Sequence, residues 1–260
     1  MKFWYMSWFR WELIDEINFA KKHFNFVEIT IQLELLHSID SSFINALKDI
    51  TQWFETLGHI HRDIVETNDI KKNIKILKEI WVKKVTFHPF EDLSIEENIK
   101  IFNKINNFLQ KNKMILLIEN VSNHPFNTPQ NINRIVENVP NSKITLDVWH
   151  ANKIYELDNF FNIFKEKIWH IHLHDNLNQL DHMFYESWEK LNQMIDKLKF
   201  IWYNNTITLE TFAVLKDWKS ISQDFEGLKK LHKQQLKKNK LQPDHKGRGI
   251  DLHSPQRQLS

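Results

Sequence analysis

Carboxylates and histidines recur at the ends of short apolar runs in this chain. The stretch Ile144–His150 begins with a strand-like run that ends in Asp147, and His150 follows three positions later. Met114–Glu119 has five apolar residues and then a glutamate. Ionisable groups at the tips of buried strands are costly unless they are paired or bind a cation. Because carboxylate and imidazole together suit Zn, Mn, Mg, Co or Fe, the pattern predicts a divalent metal site.

Six predicted strands each carry a candidate ligand at or next to their carboxyl end. In chain order these residues are His61, His88, Glu119, Asp147, His172 and Glu210. The loops that follow the strands add further metal or substrate candidates, which are His150, Asp175 and His182. Asp147 could equally cap the turn after its strand, and His59 competes with His61 for one strand end. Glu28 falls in mid-strand, which favours a structural or substrate-contacting role over metal binding.

Three histidines alternate around the seventh predicted strand, at His170, His172 and His174. Residues two apart point to the same face of a strand, so the three imidazoles share one face but differ in depth. We expect His170 deep in the fold and His174 beyond the strand end. His172 is therefore the predicted metal ligand among them.

Strands and helices alternate along most of the chain. The strand-like runs are Lys2–Ser7, Phe26–Ile31, His59–Arg62, Val85–His88, Met114–Glu119, Ile144–Asp147, Ile168–Leu173 and Thr206–Glu210. The runs with helical spacing are Trp11–His23, Ser41–Leu57, Ile70–Val82, 94–112 after the capping box at Ser94, 128 to before Pro140, Leu157–Lys165, Tyr185–Leu198 and Ser220–Asn239. This alternation predicts an α/β fold, a (β/α)8 TIM barrel over residues 1–240. An open doubly wound sheet is the alternative, but no glycine-rich phosphate turn follows an early strand.

Composition narrows the class of protein. The chain has no cysteine, which excludes disulfides and thiolate zinc ligands. Its net charge is only +2 and it has five arginines, so the arginine forks common in DNA readers are scarce. No apolar run reaches the roughly 18 residues of a membrane span, and Met1–Arg10 lacks a signal-peptide layout. We therefore expect a cytoplasmic protein without a membrane partner, ending in a polar, disordered tail over 241–260.

The sequence resembles the xylose-isomerase-like TIM-barrel superfamily, which includes sugar isomerases and epimerases and the endonuclease IV type of apurinic endonuclease. The resemblance covers about residues 1–235. It is carried by Phe26-Val-Glu-Ile, His59-Ile-His, Thr86-Phe-His-Pro, Leu117-Ile-Glu-Asn, Leu146-Asp-Val-Trp-His-Ala, His170-Ile-His-Leu-His-Asp and Leu209-Glu-Thr. Their order and spacing are typical of the superfamily but do not single out a member.

The isomerase and epimerase branch implies one Mn²⁺-type ion held by Glu119, Asp147, His172 and Glu210. In that branch one of the two glutamates removes the proton next to a sugar carbonyl, and a glutamate returns it. The resemblance therefore implies a small-molecule sugar substrate and a divalent metal (Mn, Mg, Co or Zn).

The endonuclease branch implies three zinc ions and a DNA substrate, with His61, His88, His150 and His182 at similar places. This chain departs from that branch at its third zinc site, where the family has Asp-x-His and this chain has Leu180-Asp181-His182, so the acidic ligand is missing or out of register. A third hypothesis is a barrel that keeps the ligands but has no catalytic activity.

Overall fold

The protein is an eight-stranded parallel barrel surrounded by helices, as seen in a computed structural model. The structure describes residues 2–7, 13–23, 26–177, 180–183 and 188–210. The barrel closes in the order β1-β10-β7-β6-β5-β4-β3-β2. The predicted (β/α)8 fold is therefore confirmed. The predicted boundary at residue 240, the tail 241–260 and the helix Ser220–Asn239 lie outside the described residues.

The barrel strands are short. Among the described residues, at least one helix follows every barrel strand except the last, which ends one residue before the described part of the chain ends. The strands are β1 (Lys2–Ser7), β2 (Phe26–Ile31), β3 (Glu55–Ile60), β4 (Lys84–Phe87), β5 (Ile115–Glu119), β6 (Lys143–Asp147), β7 (Ile168–Leu173) and β10 (Thr206–Leu209), with β8 (Asp175–Leu177) and β9 (Leu180–Met183) forming a separate antiparallel pair. The helices are α1 (Leu13–His23), α2 (Leu33–Ser38), α3 (Ser41–Thr51), α4 (Thr67–Glu79), α5 (Ile95–Lys111), α6 (Pro129–Glu137), α7 (Val148–Lys153), α8 (Leu157–Phe164) and α9 (Trp188–Phe200). Among the described residues, no helix has the length and apolar character needed to cross a membrane.

Local sequence signals set several helix ends. Ser94 and Glu97 form the predicted capping box, in which the Ser94 hydroxyl accepts from the Glu97 backbone N–H at 3.2 Å. Thr128 caps α6, and Pro129 occupies its first turn, where a missing N–H costs nothing. Asp147 caps α7 by accepting from the backbone N–H of His150 at 2.7 Å.

The third strand begins earlier than the sequence predicted. The helix predicted over Ser41–Leu57 ends at Thr51, and β3 covers Glu55–Ile60 where a strand was predicted over His59–Arg62. Phe54 and Leu57 continue the helical spacing, but the backbone leaves the right-handed helical conformation at Trp53, whose φ is 65°. Pairing of β3 with β2 over six residues then outweighs that local pattern.

Four further elements, α2, α7, β8 and β9, were absent from the prediction. The helix α2 follows β2 without a strong sequence signal. The β8–β9 pair occupies the segment in which Asp175 and His182 were expected to lie in a loop. His150 lies in α7 and not in a loop, because that helix starts directly at the end of β6.

The interior of the barrel is polar toward its carboxyl end. Inward-facing residues include Thr86 and Thr145, whose buried hydroxyl groups lie 2.8 Å apart near the middle of the barrel. Outward-facing strand residues such as Leu116, Ile144 and Ile171 are fully buried beneath the helices. The apolar core therefore lies between the strands and the helix layer, which leaves the strand ends free to carry ionisable groups.

Candidate metal centre

Four ionisable side chains from neighbouring strands meet at the carboxyl end of the barrel. Glu119 ends β5, Asp147 ends β6, His172 lies near the end of β7, and Glu210 directly follows β10. One ligand atom from each lies within 4.8 Å of the others, and all four residues are buried. The structure thus brings together the four residues that the sequence predicted as metal ligands, across a sequence span of about ninety residues.

Charge is the main feature of this central group. The His172 Nδ1 atom lies 2.9 Å from Glu119 Oε1 and 3.0 Å from Glu210 Oε2. Burial alone would lower the pKa of His172, but the carboxylates of Glu119, Glu28 and Glu210 raise that pKa well above its ordinary value. Burial opposes ionisation of Glu119, yet His172 and His88 hold the Glu119 pKa well below its ordinary value. The imidazolium and the carboxylates therefore stabilise one another.

This donor set fits a divalent metal ion. It contains three carboxylates and one imidazole, all nearly inaccessible to solvent. A single imidazolium leaves an excess of negative charge in a site of low dielectric, where unpaired charge is expensive. A dication offsets that excess, and oxygen with one nitrogen ligand suits Mn²⁺, Mg²⁺, Co²⁺ or Zn²⁺.

A second group shares Glu119 and lies toward β3 and β4. His88 Nε2 is 3.1 Å from Glu119 Oε2, and His59 Nε2 is 3.3 Å from His88 Nε2. Burial lowers the pKa of His59 to about 4, and the Glu119 carboxylate offsets this only in part. His59 is therefore neutral near pH 7, in a state suited to metal binding.

A third group shares Asp147 and lies toward β7 and α7. His174 Nε2 is 2.8 Å from Asp147 Oδ2, and His150 Nδ1 is 3.5 Å from the same oxygen. Asn120 holds this corner in place, because its side chain accepts from the Asp147 backbone N–H at 2.8 Å and donates to the Asp147 carbonyl at 3.0 Å. Asp147 consequently serves both as a helix cap and as a member of two candidate metal groups.

The sequence favoured His61 over His59 as the candidate ligand of the third strand, but among the described residues it is His59 that belongs to the candidate groups. His59 is an inward-facing residue of β3 and belongs to two candidate groups, one with His88 and Glu119 and one with Glu28 and His172. His61 lies beyond the strand, with its Nδ1 atom 3.2 Å from Asp63 Oδ2, and lines a cavity of about 620 Å³ together with His88. The strand was predicted to run to Arg62, but β3 ends at Ile60, so His59 lies within the strand and His61 beyond it.

The remaining predicted residues have different positions. Asp175 begins β8, where its Oδ2 atom lies 3.9 Å from the Lys190 amino group, and it belongs to none of the candidate groups formed by the described residues. His182 lies on β9, and its side chain is outside what the structure describes. His174 lies just beyond the end of β7, as expected, and is buried against Asp147.

Comparisons with known proteins agree with this architecture. A model of the xylose isomerase-like TIM barrel family matches residues 50–231, and the chain therefore belongs to that family. An uncharacterised protein of Methanocaldococcus jannaschii is 28% identical over 125 residues, which cover 45% of this chain and 49% of that protein. The chain thus matches about half the length of this curated relative.

Solved structures with the same fold include sugar epimerases. A D-tagatose 3-epimerase-like protein superimposes with a TM-score of 0.70 at 20% identity, covering 92% of this chain and 99% of that chain. The 3-keto-D-glucoside 4-epimerase of E. coli gives a TM-score of 0.65 at 16% identity, covering 88% and 98% of the two chains. At these identities the likeness establishes the fold alone.

Proposed function

We propose that this protein is a divalent-metal-dependent isomerase or epimerase of a sugar or sugar-like polyol. The observation that carries the proposal is the convergence of Glu119, Asp147, His172 and Glu210 within 4.8 Å at the barrel mouth. The sugar epimerases among the structural relatives support the substrate class. The family and its relatives also support an enzyme and not an inert barrel.

The four central residues would hold the metal ion. A bound divalent ion supplies Lewis-acid chemistry, which lowers the cost of negative charge on the oxygens of a substrate carbonyl. His172 contributes the neutral donor, and the three carboxylates keep the site selective for cations. Asn120 supports this arrangement by fixing the end of β6.

Glu119 and Glu210 are the proposed acid–base residues. They come from β5 and β10, the outer two of four neighbouring strands, whose inner two carry Asp147 and His172. A substrate held above the inner pair would therefore have a carboxylate on either side. One glutamate would remove the proton from the carbon next to the carbonyl, and the same or the opposite glutamate would return it.

Hydrogen exchange tests this proposal without requiring that the product be identified. The protein would be incubated with Mn²⁺ and a panel of ketoses in D₂O, and proton NMR would follow loss of signal from the carbon next to the carbonyl. We expect exchange with at least one sugar, and its loss in Glu119→Gln and Glu210→Gln. The exposed Glu137→Gln is the matched control and should retain exchange. Exchange that persists in both glutamate variants would contradict the assigned roles.

A metal-dependent phosphodiesterase of the endonuclease IV type is the second candidate. The observation in its favour is that two further groups flank the central one and share Glu119 and Asp147 with it. Clustered metals would activate water and stabilise displacement at phosphorus. Metal analysis separates the candidates, since the isomerase predicts about one equivalent and the nuclease predicts up to three, mainly zinc. Cleavage of a duplex with one abasic site, without any sugar exchange, would favour the nuclease.

A further inference from the structure

His172 has carboxylates at both of its ring nitrogens. Its Nδ1 atom faces Glu119 and Glu210 in the central group, at 2.9 and 3.0 Å. Its Nε2 atom lies on the other side of the ring, 3.2 Å from Glu28 Oε1. A metal ion in the central group would thus bind Nδ1, while the N–H at Nε2 donates a hydrogen bond to Glu28.

Glu28 is itself held rigidly within the barrel. Its Oε2 atom accepts from the Thr208 hydroxyl at 2.6 Å and from His170 Nε2 at 2.9 Å. On the other side of its ring, His170 Nδ1 lies 2.8 Å from the Thr206 hydroxyl and 3.1 Å from the Thr206 carbonyl oxygen, which holds the imidazole in this orientation. These contacts occupy Oε2 and leave Oε1 for His172. The carboxylate of Glu28 is fully buried and cannot rotate freely.

Glu28 reaches His172 across the barrel interior. β2 and β7 are not neighbours in the ring of strands, and 144 residues separate the two side chains along the chain. The contact therefore depends on closure of the barrel and has no local signature in the sequence. The contact also gives a role to Glu28, a mid-strand glutamate that is not one of the four predicted ligands.

We propose that Glu28 is a positioning residue that makes Nδ1 of His172 the metal-binding nitrogen. This inference rests on the proposed metal site. In metal centres, a ligating histidine commonly donates its second N–H to a carboxylate, which fixes the ring and increases its basicity, and loss of that partner weakens metal binding by about 10–100-fold. Glu28 is such a partner for His172, and because both side chains are fully buried, water does not compete for this hydrogen bond.

The test measures metal binding and the identity of the ligating nitrogen. Mn²⁺ titration followed by electron paramagnetic resonance gives the Kd of wild type, Glu28→Gln and Glu28→Leu, with Glu137→Gln as the control. In the Zn²⁺-loaded protein, the ring carbon shifts of His172 distinguish Nδ1 from Nε2 ligation. We expect Nδ1 ligation in wild type, a Kd raised about 10–100-fold in both Glu28 variants, and an unchanged Kd in the control.

The outcomes separate this inference from the proposed function. Wild type that binds neither ion contradicts the metal site and the inference with it. Wild type that binds through Nε2, or Glu28 variants that bind as tightly as wild type, contradicts the inference and leaves the metal site intact. A purely structural role for Glu28 would lower the melting temperature in EDTA without altering the Kd of folded protein. If Glu28→Leu fails to fold, the isosteric Glu28→Gln decides.

Discussion

Metal binding should stabilise the folded protein, and the size of that effect can be worked out. A ligand that binds only the native state at about 100 times its Kd adds about 2.7 kcal/mol to the free energy of unfolding. For a domain of this size, each kcal/mol shifts the melting temperature by about 2–4 °C. We therefore expect Mn²⁺ at that concentration to raise the melting temperature by about 5–11 °C.

Glu119→Gln should remove most of this shift while the fold persists. The substitution keeps the shape of the side chain but removes one of three carboxylates from the central group, and with it the charge opposite His172 and His88. If the Kd rises about 100-fold, the same Mn²⁺ concentration is then near the new Kd and adds only about 0.4 kcal/mol. The expected shift in melting temperature falls to about 1–2 °C.

Differential scanning calorimetry with EDTA or with Mn²⁺ measures both effects in one series. The exposed Glu137→Gln is the matched control and should show the full metal-induced rise. A wild-type protein whose melting temperature does not respond to any of Mn²⁺, Mg²⁺, Co²⁺ or Zn²⁺ would rule out a metal site of this strength. A Glu119→Gln protein that responds as strongly as wild type would show that Glu119 is not a ligand.

Three further predictions concern the barrel and its helices. Thr86→Val should cost about 1–3 kcal/mol because it leaves the buried Thr145 hydroxyl without its partner, whereas the double variant with Thr145→Val should recover most of that loss in urea unfolding. His59→Asn should remove a source of acid sensitivity. The folded His59 pKa of about 4 lies below its unfolded value, so wild-type stability is lost as pH falls from about 6.5 toward 4. The difference in the free energy of unfolding between wild type and variant, measured in EDTA, should therefore change by about 3 kcal/mol over that pH range. Ser94→Ala should cost about 1 kcal/mol through loss of the α5 cap, and Ser94→Gly only a few tenths.

Each of these predictions has a result that would contradict it. A loss in the double threonine variant equal to the sum of the two single losses would show that the hydroxyl pair is not coupled. A gap between wild type and His59→Asn that stays constant with pH would show that His59 is not held neutral by burial. A Ser94→Ala protein as stable as wild type would show that the hydroxyl does not cap the helix.

The fold could be predicted because its signals are local and repeated. Apolar runs such as Ile115–Glu119 have the length and composition of strands buried on both faces, and the capping box at Ser94 marks a helix start. The four central residues could also be placed, since the carboxyl ends of parallel barrel strands meet at one face. Each of them lies at or beside a strand end, so small errors in strand bounds did not displace them.

The errors arose where a tertiary contact overrides a local pattern. Phe54 and Leu57 extend the helical spacing of α3, yet strand pairing with β2 places Leu57 in β3 and makes His59 the inward-facing histidine. The contact between Glu28 and His172 spans the barrel interior. Period and spacing do not contain such information.

Binding of one divalent cation between the ends of β5, β6, β7 and β10 underlies the proposed function. Anomalous X-ray diffraction from crystals grown with Mn²⁺ is the decisive measurement, because it locates and identifies the metal together. We expect one strong anomalous peak at about 2.0–2.3 Å from oxygens of Glu119, Asp147 and Glu210 and from Nδ1 of His172. Crystals with no peak among these four side chains, or with manganese bound only elsewhere, would show that the cation site does not exist.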